Sequence, residues 1–308
     1  VTESGLLGVR WTARKKGGGE ELKRASAFTV LALGFVGILA GCSLSAGTAP
    51  DVPDDRFVVW VSIQPQRYFV ERIGGDRVQV ELMVPSGFSP ATYEPKPSQI
   101  EGLTTADMYV RIGVPFEAAW MPRIMAANEE MLVVDQSEGI ERIDGTDPHI
   151  WLSPRLAKTQ ARTICDGMVE LDASHEGFYR ANLDAFLTDL DELDASIQQT
   201  LSGLESRKFM VFHPAWAYFA RDYDLEMIPV QVEGSDPSAA EMAELIQTAR
   251  ANGIKVIFAQ PEFSTQSART IASEIGGEVL LISPLAPDWM DNLRRVADTF
   301  GVVLRNQE

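Results

Sequence analysis

The feature that most constrains this chain is a stretch of 30 residues, His175 to Leu204, that carries an apolar side chain every three or four positions. Leu183, Leu187, Leu190, Leu193, Ile197, Leu201 and Leu204 fall on one stripe, with Asp184, Asp191, Glu192 and Asp194 between them. That period is helical. At 1.5 Å per residue the stretch predicts a rod of about 45 Å. Globular helices average about three turns. A helix this long is expected to run along two lobes rather than inside one.

The flanking sequence supports that reading, because strand and helix patterns alternate on both sides of the rod. On the N-terminal side, strands are predicted at 57–63, 78–84, 107–112 and 131–135, with helices at 64–73, 98–105 and 116–128. A helix over 155–171 leads into the rod. On the C-terminal side, strands are predicted at 209–212, 225–230, 256–259 and 279–282, with helices at 215–221, 237–252, 265–275 and 288–304. The run FVVWVSI at 57–63 is almost wholly apolar, as a parallel strand covered on both faces must be. The expected fold is α/β: two Rossmann-like lobes, 56–154 and 205–308, joined by a helical region at 155–204 with one long rigid helix.

The N-terminus reads differently. A basic flank (Lys15, Lys16, Lys23, Arg24) precedes the apolar run 27–41, AFTVLALGFVGILAG. That run is shorter than the roughly 20 residues a membrane span needs and has the length of a signal sequence. It ends in Leu39-Ala40-Gly41-Cys42, which resembles a bacterial lipobox, with Cys42 as the acylated residue. Residues 1–42 are therefore expected to be a lipoprotein signal peptide and 43–55 a flexible tether. The protein is expected at the periplasmic or extracellular face of a bacterial membrane, held by lipid. Cys165 sits on the apolar side of a helical run and is expected in the core.

The chain has 27 basic and 44 acidic residues, a net charge of −17. A nucleic-acid surface needs basic stripes, so that partner is excluded. There is no Gly-x-Ser-x-Gly, no Gly-rich phosphate loop and no His-Glu-x-x-His, and an enzyme is not expected.

Of three histidines, two stand where ligands bind in open α/β sheets, beyond the carboxyl ends of strands. His213 follows the strand at 209–212, and Pro214 keeps it out of helical geometry. His149, in Asp147-Pro148-His149-Ile150-Trp151-Leu152, follows the last strand of the first lobe through a loop. A histidine at a strand end serves either as a hydrogen-bonded structural residue or as a ligand. Imidazole suits zinc and related ions, and one from each lobe would let a metal clamp the two. His175, among Ser174, Glu176 and Gly177, reads as a solvated residue at a helix start. Trp151, Trp216 and Tyr218 lie near these motifs, either packing between lobe and helix or lining a pocket.

These motifs, with Gly74-Gly75-Asp76, Tyr93-Glu94-Pro95-Lys96-Pro97-Ser98, Phe212-His213-Pro214-Ala215-Trp216 and Gln260-Pro261-Glu262-Phe263, resemble the zinc/manganese substrate-binding proteins of bacterial ABC uptake transporters (the cluster A family) over roughly 57–305. The resemblance implies a monomeric binding protein that captures a divalent transition metal, zinc before manganese, and delivers it to an ABC permease. The metal would be cargo, and no organic cofactor is implied. It further implies that His149 and His213 are metal ligands. The family's usual histidine two residues before the Tyr of Tyr-Glu-Pro is Ala91 here, and its usual late aspartate appears as Ser283. Glu94, Glu262 and Asp288 are the candidates to complete the site by sequence proximity. The alternative is a family member with altered ligand, or an adhesion or scaffold role.

Overall fold

The structure is a computed structural model that describes residues 56–231 and 235–306. The expected signal segment, the tether and Cys42 lie outside the described residues. Residues Pro53–Glu308 form one compact unit.

The first half alternates as its apolar runs require. Strand β1 (Phe57–Val61) leads to helix α1 (Gln64–Gly74), then β2 (Val78–Leu82), α2 (Pro97–Gly102), β3 (Met108–Arg111), α3 (Pro115–Ala127) and β4 (Leu132–Asp135). The four strands form a parallel sheet in the order β2-β1-β3-β4. Two helices follow, α4 (Pro154–Leu171) and α5 (Glu176–Thr200). The second half repeats the plan with β5 (Lys208–Val211), α6 (Ala217–Asp222), β6 (Glu226–Pro229), α7 (Ala239–Ala251), β7 (Val256–Ala259), α8 (Gln266–Ile275), β8 (Glu278–Leu281) and α9 (Trp289–Arg305). Its sheet, also parallel, has the order β6-β5-β7-β8. Among the described residues no helix is long and apolar enough to cross a membrane.

The long helix is shorter than its hydrophobic pattern predicts. α5 holds 25 residues, about 37 Å. The chain leaves the helix at Leu201 and turns at Gly203, whose φ of 65° is left-handed. Leu201 and Leu204 remain buried, so the apolar period continued while the backbone did not. His175 closes a short 3₁₀ turn before α5. Its Nδ1 lies 2.8 Å from Asp172, which also accepts from Ser174, Tyr179 and Arg77. Burial acts to raise the Asp172 carboxyl, but hydrogen bonds from Ser174, His175 and Tyr179 outweigh it and hold it well below the usual carboxylate range. His175 thus fixes the α4–α5 corner.

α5 packs on α1 and α4 and also on α9, the last helix of the chain. α9 serves both halves. Phe300 covers the second sheet through Phe209 and Phe258, with ring centroids 4.6 and 4.7 Å away. Trp289, at the other end of α9, packs edge-on to Phe69 of α1 at 4.8 Å. A single hydrophobic cluster therefore runs from β1 through α5 to β5 and β7, and a smaller one lies among β5, β7, α7 and α8. Free Cys165 is buried in the larger cluster.

Two indoles cross this junction. Trp289 Nε1 donates to the Trp151 carbonyl (2.9 Å), and Trp151 Nε1 donates to the Pro284 carbonyl (2.7 Å). Replacing Trp289 by Ala should destabilise the protein by about 3–5 kcal/mol. Trp289→Phe, which keeps most of the packing but leaves a buried carbonyl unpaired, should cost about 1–3 kcal/mol. Urea unfolding midpoints measure both, and a Trp289→Phe variant as stable as the wild type would show that the hydrogen bond contributes nothing.

Candidate metal centre

All residues lining the main cleft follow the carboxyl ends of strands, as the doubly wound topology dictates. Ser89, Pro90 and Ala91 come from the loop after β2, Val114 and Pro115 from the turn after β3, and Pro148, His149 and Trp151 from the connection after β4. His213 follows β5, Gln260, Glu262 and Phe263 follow β7, and Pro284 and Leu285 follow β8. The cavity holds about 170 Å³.

Each wall is stiffened before any ligand arrives. Glu117 is buried and accepts from Ser62 Oγ (2.5 Å), Ile112 N (3.0 Å) and Gly113 N (2.6 Å). Burial pushes its carboxyl up, and these donors act against that push. The bonds fix the β3–α3 turn that presents Val114 and Pro115. Gly113 is required there: its φ is 82°, and a Cβ would meet the Arg142 guanidinium at 2.2 Å. Arg142 in turn donates to the Ile112 carbonyl (2.7 Å) and pins the connection that leads to His149.

That connection is also held from the second half. Tyr218 of α6 donates its hydroxyl to the Asp147 carbonyl (2.8 Å) and accepts from Ile143 N (3.0 Å). Asp147 then accepts from both the backbone N–H (2.9 Å) and ring Nδ1 (2.7 Å) of His149. Across the cleft, His213 donates Nδ1–H to Gln231 Oε1 (2.8 Å), and its ring stacks on Phe263 with centroids 4.9 Å apart.

In the neutral tautomers that donate through both Nδ1 atoms, each Nε2 presents a lone pair to the cleft. They face each other at 3.4 Å. Two nitrogens bound to one zinc at about 2.05 Å, with a tetrahedral angle between them, stand about 3.3 Å apart. The pair thus already has the separation a tetrahedral metal imposes, and two opposed lone pairs repel until a cation lies between them. Burial, and then the neighbouring His149, push the His213 pKa down to about 4, so its nitrogen stays unprotonated in mildly acidic solution.

The three carboxylate candidates separate. Glu262 lines the cavity with the histidines. Its Oε2 is buried without a hydrogen-bond partner, Oε1 lies 3.5 Å from Ser283 Oγ, and burial raises its pKa. Glu94 does not line the cleft. It is exposed beside Tyr93, whose hydroxyl is turned inward to Gln99 (2.6 Å). Asp288 is also outside the cleft, at the start of α9, and its carboxylate pairs with Arg295 at 2.7 Å. Neither of these two residues, both chosen by sequence proximity, lines the cleft in this structure, because neighbouring residues in a turn diverge in space. Of the aromatics, Trp151 lines the cavity, while Trp216 and Tyr218 are core residues. Among the described residues no group of three His, Cys, Asp or Glu side chains stands close enough to hold a metal. Sequence reading missed Asp147, Gln231 and Tyr218 as orienting residues. Asp147 had a local signal, two residues before His149, and Tyr218 stood out only as an aromatic near the motifs, while Gln231 had none.

The depressed His213 pKa makes a pH prediction. An unfolded histidine titrates near 6.5. Between about pH 6.5 and 4 the unfolded chain therefore binds more protons at this position than the folded one. The stability is intact above the unfolded value and is lost as pH falls toward about 4, by up to about 3 kcal/mol. In metal-stripped protein, His213→Gln should show a shallower loss of urea stability across that window. Parallel pH profiles for the two proteins would contradict it.

Comparison with known proteins places the geometry in context. Residues 59–301 match the ZnuA family, described as zinc-uptake complex component A, periplasmic. The high-affinity zinc uptake system protein ZnuA of Bacillus subtilis is 28% identical, covering 85% of this chain and 89% of its own. The manganese-binding lipoprotein MntA of Halalkalibacterium halodurans is 27% identical, covering 85% and 93%. A ZnuA crystal structure superposes with a TM-score of 0.79 at 48% identity, over 81% of this chain and 99% of that one. A ZnuA deletion mutant with zinc bound gives 0.79 at 47%, over 82% and 100%. Laminin-binding proteins of streptococci share the fold at 24% identity. The chain belongs to the ZnuA family of periplasmic zinc-uptake components, a family of transport binding proteins and not of enzymes.

Proposed function

We propose that this protein captures a divalent transition metal, zinc by preference, between His149 and His213, and hands it to the permease of an ABC transporter. The observation that carries the proposal is the pair of bare Nε2 atoms at 3.4 Å, one from each half of the molecule. Neutral imidazole nitrogens at a tetrahedral separation favour zinc, and the net charge of −17 draws cations toward the surface. The zinc-uptake and manganese-binding names of its relatives agree with this reading. The protein works as a monomer, tethered by a lipid on Cys42 once the signal segment that precedes it is removed.

Calorimetry with zinc should give one site per chain. His149→Ala or His213→Ala should weaken it at least about 100-fold, more than the roughly 10–100-fold expected of residues that only orient a ligand. Zinc at about 100 times Kd should stabilise the wild type by about 2.7 kcal/mol and leave the double variant unmoved. Because Ala91 faces the same cavity, Ala91→His should strengthen binding. Wild-type protein that takes up no stoichiometric zinc would refute the reading.

Anchoring has its own test. Expressed in a bacterial host, the wild type should sediment with membranes, and Cys42→Ser should appear in the soluble extracytoplasmic fraction. Equal partition of both would remove the lipid from the proposal.

A further inference from the structure

Two imidazoles leave a tetrahedral metal half-coordinated, and the resemblance noted in the sequence would put its further donors at Ala91 and Ser283, where neither a histidine nor a carboxylate stands. The turn after β7 holds what the cavity otherwise lacks. Glu262 is the only carboxylate among the described residues that line it, and no lysine or arginine lines it. Its Oε2 is buried without a partner. Gln260, two residues earlier, is 1% exposed, and its Nε2 is also buried and unpartnered. Phe263, the next residue, stacks on His213. That contact holds the turn beside the metal-facing ring.

An acceptor and a donor left unsatisfied in one buried wall need partners. The cavity offers Glu262 no cationic side chain, and the two histidines opposite have lone pairs of their own. A divalent cation is the one species that satisfies all three acceptors together. We infer that Glu262 supplies the third donor to the bound metal, its carboxylate turning from the wall toward the two Nε2 atoms, while the Gln260 amide donates to the oxygen that does not bind.

The carboxylate must move, because no three such side chains are within ligand range of one another among the described residues. Its partners are weak or local: Ser283 Oγ, at 3.5 Å, is longer than a normal hydrogen bond, and the other donor is its own backbone N–H. The cavity of about 170 Å³ leaves room for the swing and for a water in the fourth position. A carboxylate in place of one of the family's imidazoles makes the donor set harder, which widens the acceptable metals toward manganese.

This inference rests on the metal reading above, and its test separates the two. Zinc calorimetry and the visible spectrum of the cobalt(II) complex are measured for wild type, His213→Ala, Glu262→Gln and Glu262→Asp. Glu262→Gln should keep one site per chain, bind zinc roughly 10–100-fold more weakly, and shift the cobalt bands as an oxygen anion leaves the coordination sphere. Glu262→Asp, which keeps the charge on a shorter arm, should fall between and guards against misfolding of the first variant. If both Glu262 variants match wild type in affinity and spectrum while His213→Ala has lost the site, the histidine pair stands and Glu262 is no ligand. If wild type binds no zinc, the metal reading and this inference fall together.

Discussion

The structure depends on two indole hydrogen bonds that cross the junction between its halves. Trp151 follows His149 by two residues and belongs by sequence to the first half. Its indole donates to the Pro284 carbonyl after β8, and its own carbonyl accepts from Trp289 at the start of α9. Both rings are almost fully buried. Tryptophan is suited to this, since a large apolar surface and one directional donor act from the same side chain. The pair fixes the turn carrying His149 against the second half, and Trp289 fixes that half against α1. A continuous core then encloses α5. The cleft is consequently a groove in one packed body, and interiors at that density do not deform freely.

The site is built by the same means. Each histidine has one nitrogen assigned to the protein and one to the cleft. Asp147 and Gln231 take the Nδ1 protons, and their own placement derives from Tyr218 and from the end of β6. The cost of holding two lone pairs face to face is met during folding by this surrounding network. A metal bound as proposed would meet donors already placed, and the entropy of gathering them would not be charged against its affinity.

The fold was legible in sequence because both periodicities were strong. The parallel strands showed as apolar runs such as 57–61, and the helices as stripes, so all eight strands and the principal helices lie close to where their patterns predict. The rod's end was misjudged because hydrophobic spacing continues through Leu201 and Leu204, and only Gly203 marks the turn. His149 and His213 were legible from a topological rule about strand ends. Glu94 and Asp288 were not separable from Glu262 by that rule, because direction within a turn depends on packing that sequence spacing does not encode. Gln231 was invisible, and Tyr218 was noticed without its orienting role, for the same reason: they act on residues 18 and 71 positions away.

One further consequence lies in the 3.4 Å between the two nitrogens. A metal that bonds each at about 2.05 Å can bridge at most about 4.1 Å, the sum of the two bonds in a straight line. Grip on both histidines is therefore confined to roughly 0.7 Å of travel. If the pair holds a metal as proposed, the molecule would act as a caliper set near the middle of its working range, one jaw on each half. Release would then need no gaping of the cleft: a docking partner that strained the junction by less than the width of an atom would loosen the metal, and relaxation on departure would reset the jaws for the next ion.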